Sequence, residues 1–499
     1  MNKDLIMVID EGTTSLRAAV FNRDMEIIGQ SQKPVEMICP DEGEVEQSPD
    51  EIFEKTVEAM RDVLAEGNIP KERIAAIGIT NQRGTWALWN KKTGRPITNF
   101  ITWMDTRSEK SKPYFRSDKK FNELFPDQID MMPPWNFVLE FRQMCLKKPE
   151  LSDIVKDPDT LFGAIDTWLI YKLTGGKSFM ISSSSDHTGP FYVLGKMDEA
   201  KRSMELYDAH ENILPKVMNE ADDYGMLDPE ILGVEIPIYG NIADQQSSLF
   251  SQGCIKLGDA KCTCGTGAFV NVNIGSDFLT NKTVTSYIAW SLDGQSTNCV
   301  EGVAGNAGTC LEWAKNQIKL FDDFGCMEEE ALSVEDNDGV YFVPALTGIE
   351  CANYQVPFAK GSFQGLTMRT KREHLVRAAL EGIAFSISNV FKQMDLLGFH
   401  TEKIYIDGGV SKSNLICQKI SNVTGVKVVR SKNTESTALG AAEMTAIKLG
   451  WMNEDDVMKY VQSDMEFTAD ENQSRDKAEF EQWDEYIKLI CGYYGEKNE

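Results

Sequence analysis

A carboxylate, a glycine, a run of hydroxyls and a cation lie close together near the start of the chain: Asp10, Glu11, Gly12, Thr13, Thr14, Ser15 and, two residues further on, Arg17. Gly12 lets the backbone approach a ligand closely. The amides and hydroxyls of Thr13, Thr14 and Ser15 offer donors suited to phosphate oxygens. Asp10 puts a carboxylate where Mg²⁺ could sit beside those oxygens. A second turn of this kind, Gly265-Thr266-Gly267, lies within residues 261–270. When Gly12-Thr13-Thr14 is laid on Gly265-Thr266-Gly267, Asp10 falls opposite Thr263. Both turns could clamp phosphates, and only the first could hold a metal.

Strands must carry these turns. Apolar runs at residues 5–9 and 16–21 flank the first turn, and the second has strand-like flanks as well. Residues 236–239 run into Gly240-Asn241-Ile242-Ala243-Asp244 and a polar helix start. Residues 403–407 run into Gly408-Gly409-Val410-Ser411 and Asn414. Each reads as strand, glycine turn and helix N-terminus, a place for anionic or polar groups. The two read as copies of one unit. The first ends in the Asp244 carboxylate; the second ends in bare glycines that suit a base or ribose. The expected fold is α/β, with related lobes at residues 1–252 and 253–499 and a nucleotide between them.

Several local elements are expected. Ser48-Pro49-Asp50-Glu51 opens a helix whose inner face carries Phe53, Val57, Met60 and Leu64. Residues 74–80 read as a buried strand leading to Gln82 and Arg83. Thr370 and Glu373 are spaced as a capping box before a long helix. Residues beyond Met452 are acidic and read as a peripheral tail.

At 499 residues and 42% hydrophobic content, the chain is long enough for more than one core. No apolar run approaches the ~20 residues of a membrane span, and the N-terminus offers no signal peptide. The net charge of −26 argues against nucleic acid as a partner. The acidic runs at residues 41–46 and 328–330 read as solvated faces. The 11 cysteines are scattered, without metal spacing. Cys262 and Cys264 are expected to face opposite ways as core thiols. A reducing, cytoplasmic compartment follows.

In this order along the chain, the motifs resemble the FGGY carbohydrate kinases of the actin-like (ribonuclease H-like) ATPase superfamily, and glycerol kinases most closely among them. The resemblance rests on residues 10–17, Thr80-Asn81-Gln82-Arg83, Gly163-Ala164-Ile165-Asp166, Ala243-Asp244-Gln245-Gln246, Gly265-Thr266-Gly267, Asp407-Gly408-Gly409 and Thr437-Ala438-Leu439-Gly440. It also takes in Gly361-Ser362-Phe363-Gln364-Gly365-Leu366 and the helix start at His374. The resemblance implies ATP-dependent phosphorylation of a hydroxyl on a small polyol or sugar. It makes Asp244 the catalytic base and puts Asp10 on magnesium. Thr13, Thr14, Ser15 and Arg17 would meet the terminal phosphates. Gly265, Thr266 and Gly267 would hold the nucleotide phosphates, while Gly308, Gly409 and Asn414 line the adenosine pocket. Gln82, Arg83, Gly84, Trp103, Trp135, Gln245 and Phe269 would face the acceptor. A homodimer or homotetramer is left open.

The acceptor residues depart from the pattern. Gly84 stands where glycerol kinases carry a glutamate that pairs with the arginine before it. Trp135 stands for a tyrosine, Glu11 for a glutamine, and residues 353–356 for a Pro-Tyr-Trp-Asp segment. Arg83 then needs another counter-ion. Asp105 is one option; a sugar acid, or a larger neutral acceptor in the vacated room, are others. Glu11 could bind metal or cap its loop, and His187 could touch substrate. A nucleotide-binding pseudokinase is the rival reading.

Overall fold

The computed structural model describes residues 3–191, 199–279, 284–351, 354–432 and 435–495; Asn353 of the divergent segment lies outside them. The chain divides into two compact units that do not follow a single cut. Unit 1 holds residues 1–251 together with 287–298 and 435–460; unit 2 holds the rest.

The sheet of unit 1 begins with β1 (Leu5–Glu11), an apolar run buried on both faces, as a central strand must be. It pairs antiparallel with β2 (Ser15–Phe21), which pairs antiparallel with β3 (Ile27–Pro34). On its other side come β4 (Ile74–Asn81) and β5 (Ile238–Ala243), both parallel. The order is β5-β4-β1-β2-β3. The helix Pro49–Glu66, capped by Ser48, buries Ile52, Thr56, Ala59, Met60 and Val63. Its buried stripe is thus turned one residue from the expected one, with Phe53 and Leu64 at the edge.

Unit 2 repeats this order in its own sheet. The strand β6 (Asp259–Cys264) is flanked by β7 (Ala268–Gly275) and β8 (Gln295–Ala304) on one side. On the other lie β9 (Lys403–Asp407) and β10 (Lys427–Ser431), again parallel. Strand position corrects the expected duplication. The strand β9 neighbours β6 as β4 neighbours β1, so residues 403–411 answer to residues 74–83 and not to residues 236–244. The expected glycine turn at Gly240 is also absent. The strand β5 runs through Gly240 to Ala243, and a helix, Asp244–Ser251, starts directly at Asp244.

Residues after Met452 are no peripheral tail. The strand β11 (Ser463–Phe467) joins the sheet beside β10, and the helix Gln473–Gly495 buries Phe480, Trp483 and Ile487 in the unit 2 core. The acidic faces are likewise engaged. Arg107 pairs with Glu46 at 2.6 Å and Asp105 at 2.8 Å, and Lys147 with Glu44 at 2.5 Å. Glu328 accepts from Ser413 and from the Leu415 amide, and Glu330 pairs with Arg372 at 3.0 Å. The long helix Arg372–Leu396 is capped at Lys371, whose amide donates to His374 Nδ1 at 3.1 Å, in place of the Thr370–Glu373 box. Cys262 and Cys264 share one buried face, their sulfurs 3.3 Å apart, because residues two apart on a strand point the same way.

The buried Lys419 ammonium ties three elements of unit 2 together, meeting Glu381 at 3.0 Å, Asp476 at 2.9 Å and Glu479 at 2.8 Å. Its loss would leave carboxylates buried without their cation. Lys419→Met is therefore expected to cost about 3–5 kcal/mol, measured by denaturant unfolding. A cost below about 1 kcal/mol would show that the cluster does not anchor the C-terminal helix.

Candidate active site

The turn between β1 and β2 is tight. Asp10 stands opposite Arg17 and Glu11 opposite Leu16, and the Gly12 amide donates to the Ser15 carbonyl at 3.0 Å. Thr13 and Thr14 are left at the tip. The Thr13 hydroxyl accepts from Trp103 Nε1 at 3.1 Å, and Ser15 Oγ accepts from Gln32 at 2.7 Å. Arg17 forms an ion pair with Glu435, and its Nη2 lies 4.0 Å from Asp10 Oδ2. Burial pushes the Asp10 carboxyl up to about 6, against the pull of Arg17 and with a further push from Asp244.

The side chain of Glu11 turns inward. It is fully buried, and both its oxygens lie 3.3 Å from Gln82 Nε2. Burial holds its carboxyl well above the usual range, in spite of that hydrogen bond. It neither caps the loop nor points out to a metal.

At the end of β4 the chain presents Gln82, Arg83 and Gly84. Arg83 Nε lies 3.6 Å from Asp244 Oδ1, and its guanidinium sits 5.6 Å from the centre of the Tyr287 ring. Asp105, one of the expected counter-ions, is instead fully buried against Arg107. Asp244 opens its helix and accepts from the Gln245 amide at 2.7 Å. Gly84 is in the left-handed region, with φ +63°. A Cβ there would come within 2.9 Å of Trp135 Cδ1 and 3.3 Å of Trp103 Cβ. The expected vacant room is thus closed by the two tryptophans. His187 is buried, and its Nδ1 accepts from the Ile288 amide at 3.1 Å.

Unit 2 carries the second turn. Cys264 stands opposite Ala268, leaving Gly265-Thr266-Gly267 at the tip. The Thr266 carbonyl accepts from the amides of Ala307 and Thr309, and the Gly265 carbonyl from the amide of Gly308 at 2.9 Å. A Cβ on Gly308 would lie 2.4 Å from the Gly265 oxygen, so only glycine lets this helix start meet the turn. These residues and Gly409 line a cavity of about 770 Å³, closed by Phe324, Met327 and Glu328. That volume is in the range of small-molecule sites. No atom lies within 4 Å of where a Gly409 Cβ would be, so a flat group could rest there. Asn414 stands at the rim, its Oδ1 accepting from Arg430 at 2.9 Å. Phe269 stands on β7 opposite Thr263.

The structure thus brings Asp10, Thr13, Arg17, Arg83, Gly84, Trp103, Trp135 and Asp244 into one network in unit 1. Thr14, Ser15, Gln82 and Gln245 adjoin it. Gly265, Thr266, Gly308 and Gly409 line the unit 2 cavity, with Gly267 and Asn414 beside it. Tyr287, Glu435, Phe324, Glu328 and Gln47, whose Nε2 donates to the Thr13 carbonyl at 2.8 Å, are not among the site residues to which the sequence points. Only Glu435 had a local signal, standing two residues before the Thr437 motif.

Family models for the N-terminal and C-terminal domains of the FGGY family of carbohydrate kinases match residues 5–251 and 260–449. The chain belongs to the FGGY family. The glycerol kinase of Halothermothrix orenii is 35% identical over 500 residues, covering 99% of each chain. That of Caldanaerobacter subterraneus subsp. tengcongensis is 36% identical over 482 residues, covering 95% of this chain and 96% of the relative. A glycerol kinase of Plasmodium falciparum, solved with ADP, is 26% identical with a TM-score of 0.89, covering 98% of each chain. The fold is the actin-like one of these kinases, and the FGGY chain described here is an ATP-dependent kinase of a polyol or sugar. Among the described residues no helix is long and apolar enough to cross a membrane.

Two predictions follow from this geometry. Asp10 titrates near 3.8 when unfolded and about 6 when buried. Its ionisation therefore costs no stability below about pH 4, an increasing amount between about 4 and 6, and a constant amount above. Asp10→Asn is expected to raise folding stability at pH 8 by up to about 3 kcal/mol and to leave it unchanged at about pH 3.5, read by thermal melts. Equal melts at pH 8 would contradict this. Gly84→Glu, which supplies the carboxylate usual in glycerol kinases, is expected to lower activity about tenfold or more, because φ and Trp135 both oppose a side chain there. Steady-state kinetics at saturating acceptor would show it, and a gain in turnover would refute it.

Proposed function

We propose that this FGGY kinase phosphorylates a small neutral polyol of about glycerol's size. The observation that carries the reading is Trp135 packed over Gly84. The missing carboxylate has not enlarged the site, so a bulkier sugar gains no room there. A sugar acid is also disfavoured, because the Asp244 carboxylate already lies 3.6 Å from Arg83. The glycerol kinases among its relatives support the same size of acceptor.

Phosphoryl transfer depends on positioning and charge neutralisation more than on covalent chemistry. Asp244 takes the proton from the acceptor hydroxyl as that oxygen attacks the γ-phosphorus of ATP and the bond to the bridging oxygen breaks, so that ADP leaves. Arg83 orients the acceptor beside that carboxylate, and Trp103 and Trp135 wall it in. The amides and hydroxyls of Thr13, Thr14 and Ser15, with Arg17, receive the terminal phosphates. In unit 2, Gly265, Thr266 and Gly267 hold the nucleotide phosphates, and Gly308, Gly409 and Asn414 hold the adenosine.

Asp10 fits a magnesium ion. Among the described residues no group of three His, Cys, Asp or Glu side chains forms a metal cage. Mg²⁺ needs no such cage: it takes one or two carboxylates and fills its shell with water and substrate phosphates. When bound, the ion would neutralise charge on the phosphate oxygens. The cysteines are free thiols, which fits a reducing cytoplasm. Asp10, Asp244 and both phosphate turns are all present, which favours an active kinase over a pseudokinase.

ADP release should be measured with Mg²⁺, ATP and a panel of glycerol, D-xylulose and gluconate. Glycerol is expected to give the highest kcat/KM. Asp244→Asn should lower kcat by roughly 10²–10⁴-fold. Preference for gluconate, or turnover indifferent to Asp244→Asn, would overturn the reading.

A further inference from the structure

The buried amide of Gln82 is held in one orientation. Its Nε2 donates to Gln47 Oε1 at 2.9 Å and faces both Glu11 oxygens at 3.3 Å. Gln47 cannot turn round to offer its own amide nitrogen, because that nitrogen donates to the Thr13 carbonyl at 2.8 Å. Flipping Gln82 would set its carbonyl against the fixed Gln47 Oε1. Its Oε1 therefore faces away from Gln47 and Glu11, buried and with no hydrogen-bond partner. Gln47 and Glu11 are fully buried, and Gln82 is 2% exposed. An acceptor fixed in this way and left unspent costs the folded chain a hydrogen bond unless a ligand supplies the donor.

The residues that follow Gln82 are Arg83 and Gly84, which face the acceptor in the reading above. Arg83 has only donors to offer, and Gly84 has no side chain. A polyol hydroxyl that donates its proton therefore needs an acceptor from this strand end. We infer that Gln82 Oε1 accepts a hydrogen bond from a hydroxyl of the acceptor that is not the one phosphorylated, and that Glu11 and Gln47 are positioning residues that aim it.

The consequence is chemical selectivity. An amide carbonyl accepts from a hydroxyl and repels a carboxylate. The site thus demands a neutral acceptor with a second hydroxyl at a fixed distance from the first. Through Gln47 the same chain of hydrogen bonds reaches Thr13, so the acceptor strand and the phosphate turn are braced together.

The inference rests on the polyol kinase reading, and the test separates the two. The intact enzyme and its Gln82→Met variant are compared on glycerol, propane-1,2-diol and propane-1,3-diol, with affinities taken from competition and KM. Glycerol should bind Gln82→Met about tenfold more weakly. One diol, the one lacking the hydroxyl that Gln82 meets, should bind both proteins equally. A uniform loss across all three ligands, or an unshifted glycerol KM, would overturn the inference. Glu11→Leu should raise the glycerol KM with kcat little changed. Glu11→Gln, which keeps an acceptor oxygen for the amide, should restore the KM. No rescue by Glu11→Gln would remove Glu11 from the positioning role. Absence of glycerol turnover by the intact enzyme would overturn the polyol reading, and this inference with it.

Discussion

The helix Ser436–Lys448 lies on the first sheet closer than any side chain would permit, and the ends of β4 and β5 are fixed by that approach. A Cβ on Gly240 would stand 2.2 Å from Thr445 Oγ1 and 2.8 Å from the Ala441 carbonyl; one on Gly78 would stand 2.5 Å and 2.8 Å from the same atoms. The helix also meets the helix Asp244–Ser251, where a Cβ on Gly440 would lie 2.2 Å from the Ser247 carbonyl. Close packing of this kind transmits small displacements without damping. The strand β4 leads into Gln82 and Arg83, β5 leads into Asp244, and the helix begins beside Glu435, the partner of Arg17. This close approach therefore sets where Asp244, Arg83 and Arg17 stand.

Charge is organised on the same principle. The chain carries a net −26, and two groups of its buried acids are gathered round single cations, Arg107 in unit 1 and Lys419 in unit 2. Asp10 and Glu11 are arranged otherwise. Both carboxyls are held above their usual range by burial, and Arg17, which lies closest to Asp10, is shared with Glu435. A cation bound beside these carboxyls would offset the desolvation that the folded chain otherwise bears, which is how stability is exchanged for function at active sites.

The parts of this arrangement that were legible in the sequence are those whose cause is local. The first turn needs only Gly12 and the apolar runs beside it, and the strand leading to Gln82 needs only its own apolar residues. The helix at Ser48 announces itself by its cap. What could not be read is set by partners far along the chain. Tyr287 reaches Arg83 across about two hundred positions, and Trp135 lies against Gly84 where a Cβ would stand. The duplicated unit was matched to the wrong strand because residues 236–244 and 403–411 look alike, whereas sheet order alone defines equivalence. The acidic C-terminal helix looked peripheral because its apolar residues are few. Phe480, Trp483 and Ile487 suffice to bury one face, and Lys419 neutralises the acids beside it.

The departures at positions 11 and 84 have one physical meaning together. A glutamate stands at position 11, where the resemblance leads one to expect glutamine, and a glycine at 84, where it leads one to expect glutamate. The carboxyl has left the strand end and sits one layer back, behind Gln82. There burial pushes it toward the neutral, protonated form, and its hydrogen bond to Gln82 leaves an amide carbonyl as the free acceptor. Arg83 meanwhile faces Asp244 and the ring of Tyr287. This side of unit 1 thus presents an opposed ion pair, an amide and two indole rings. A carboxylate ligand at Arg83 would have to displace Asp244 and would set a second anion beside it. In the proposed reading, a neutral polyol leaves that pair undisturbed and gives its proton to the carboxylate beside Arg83.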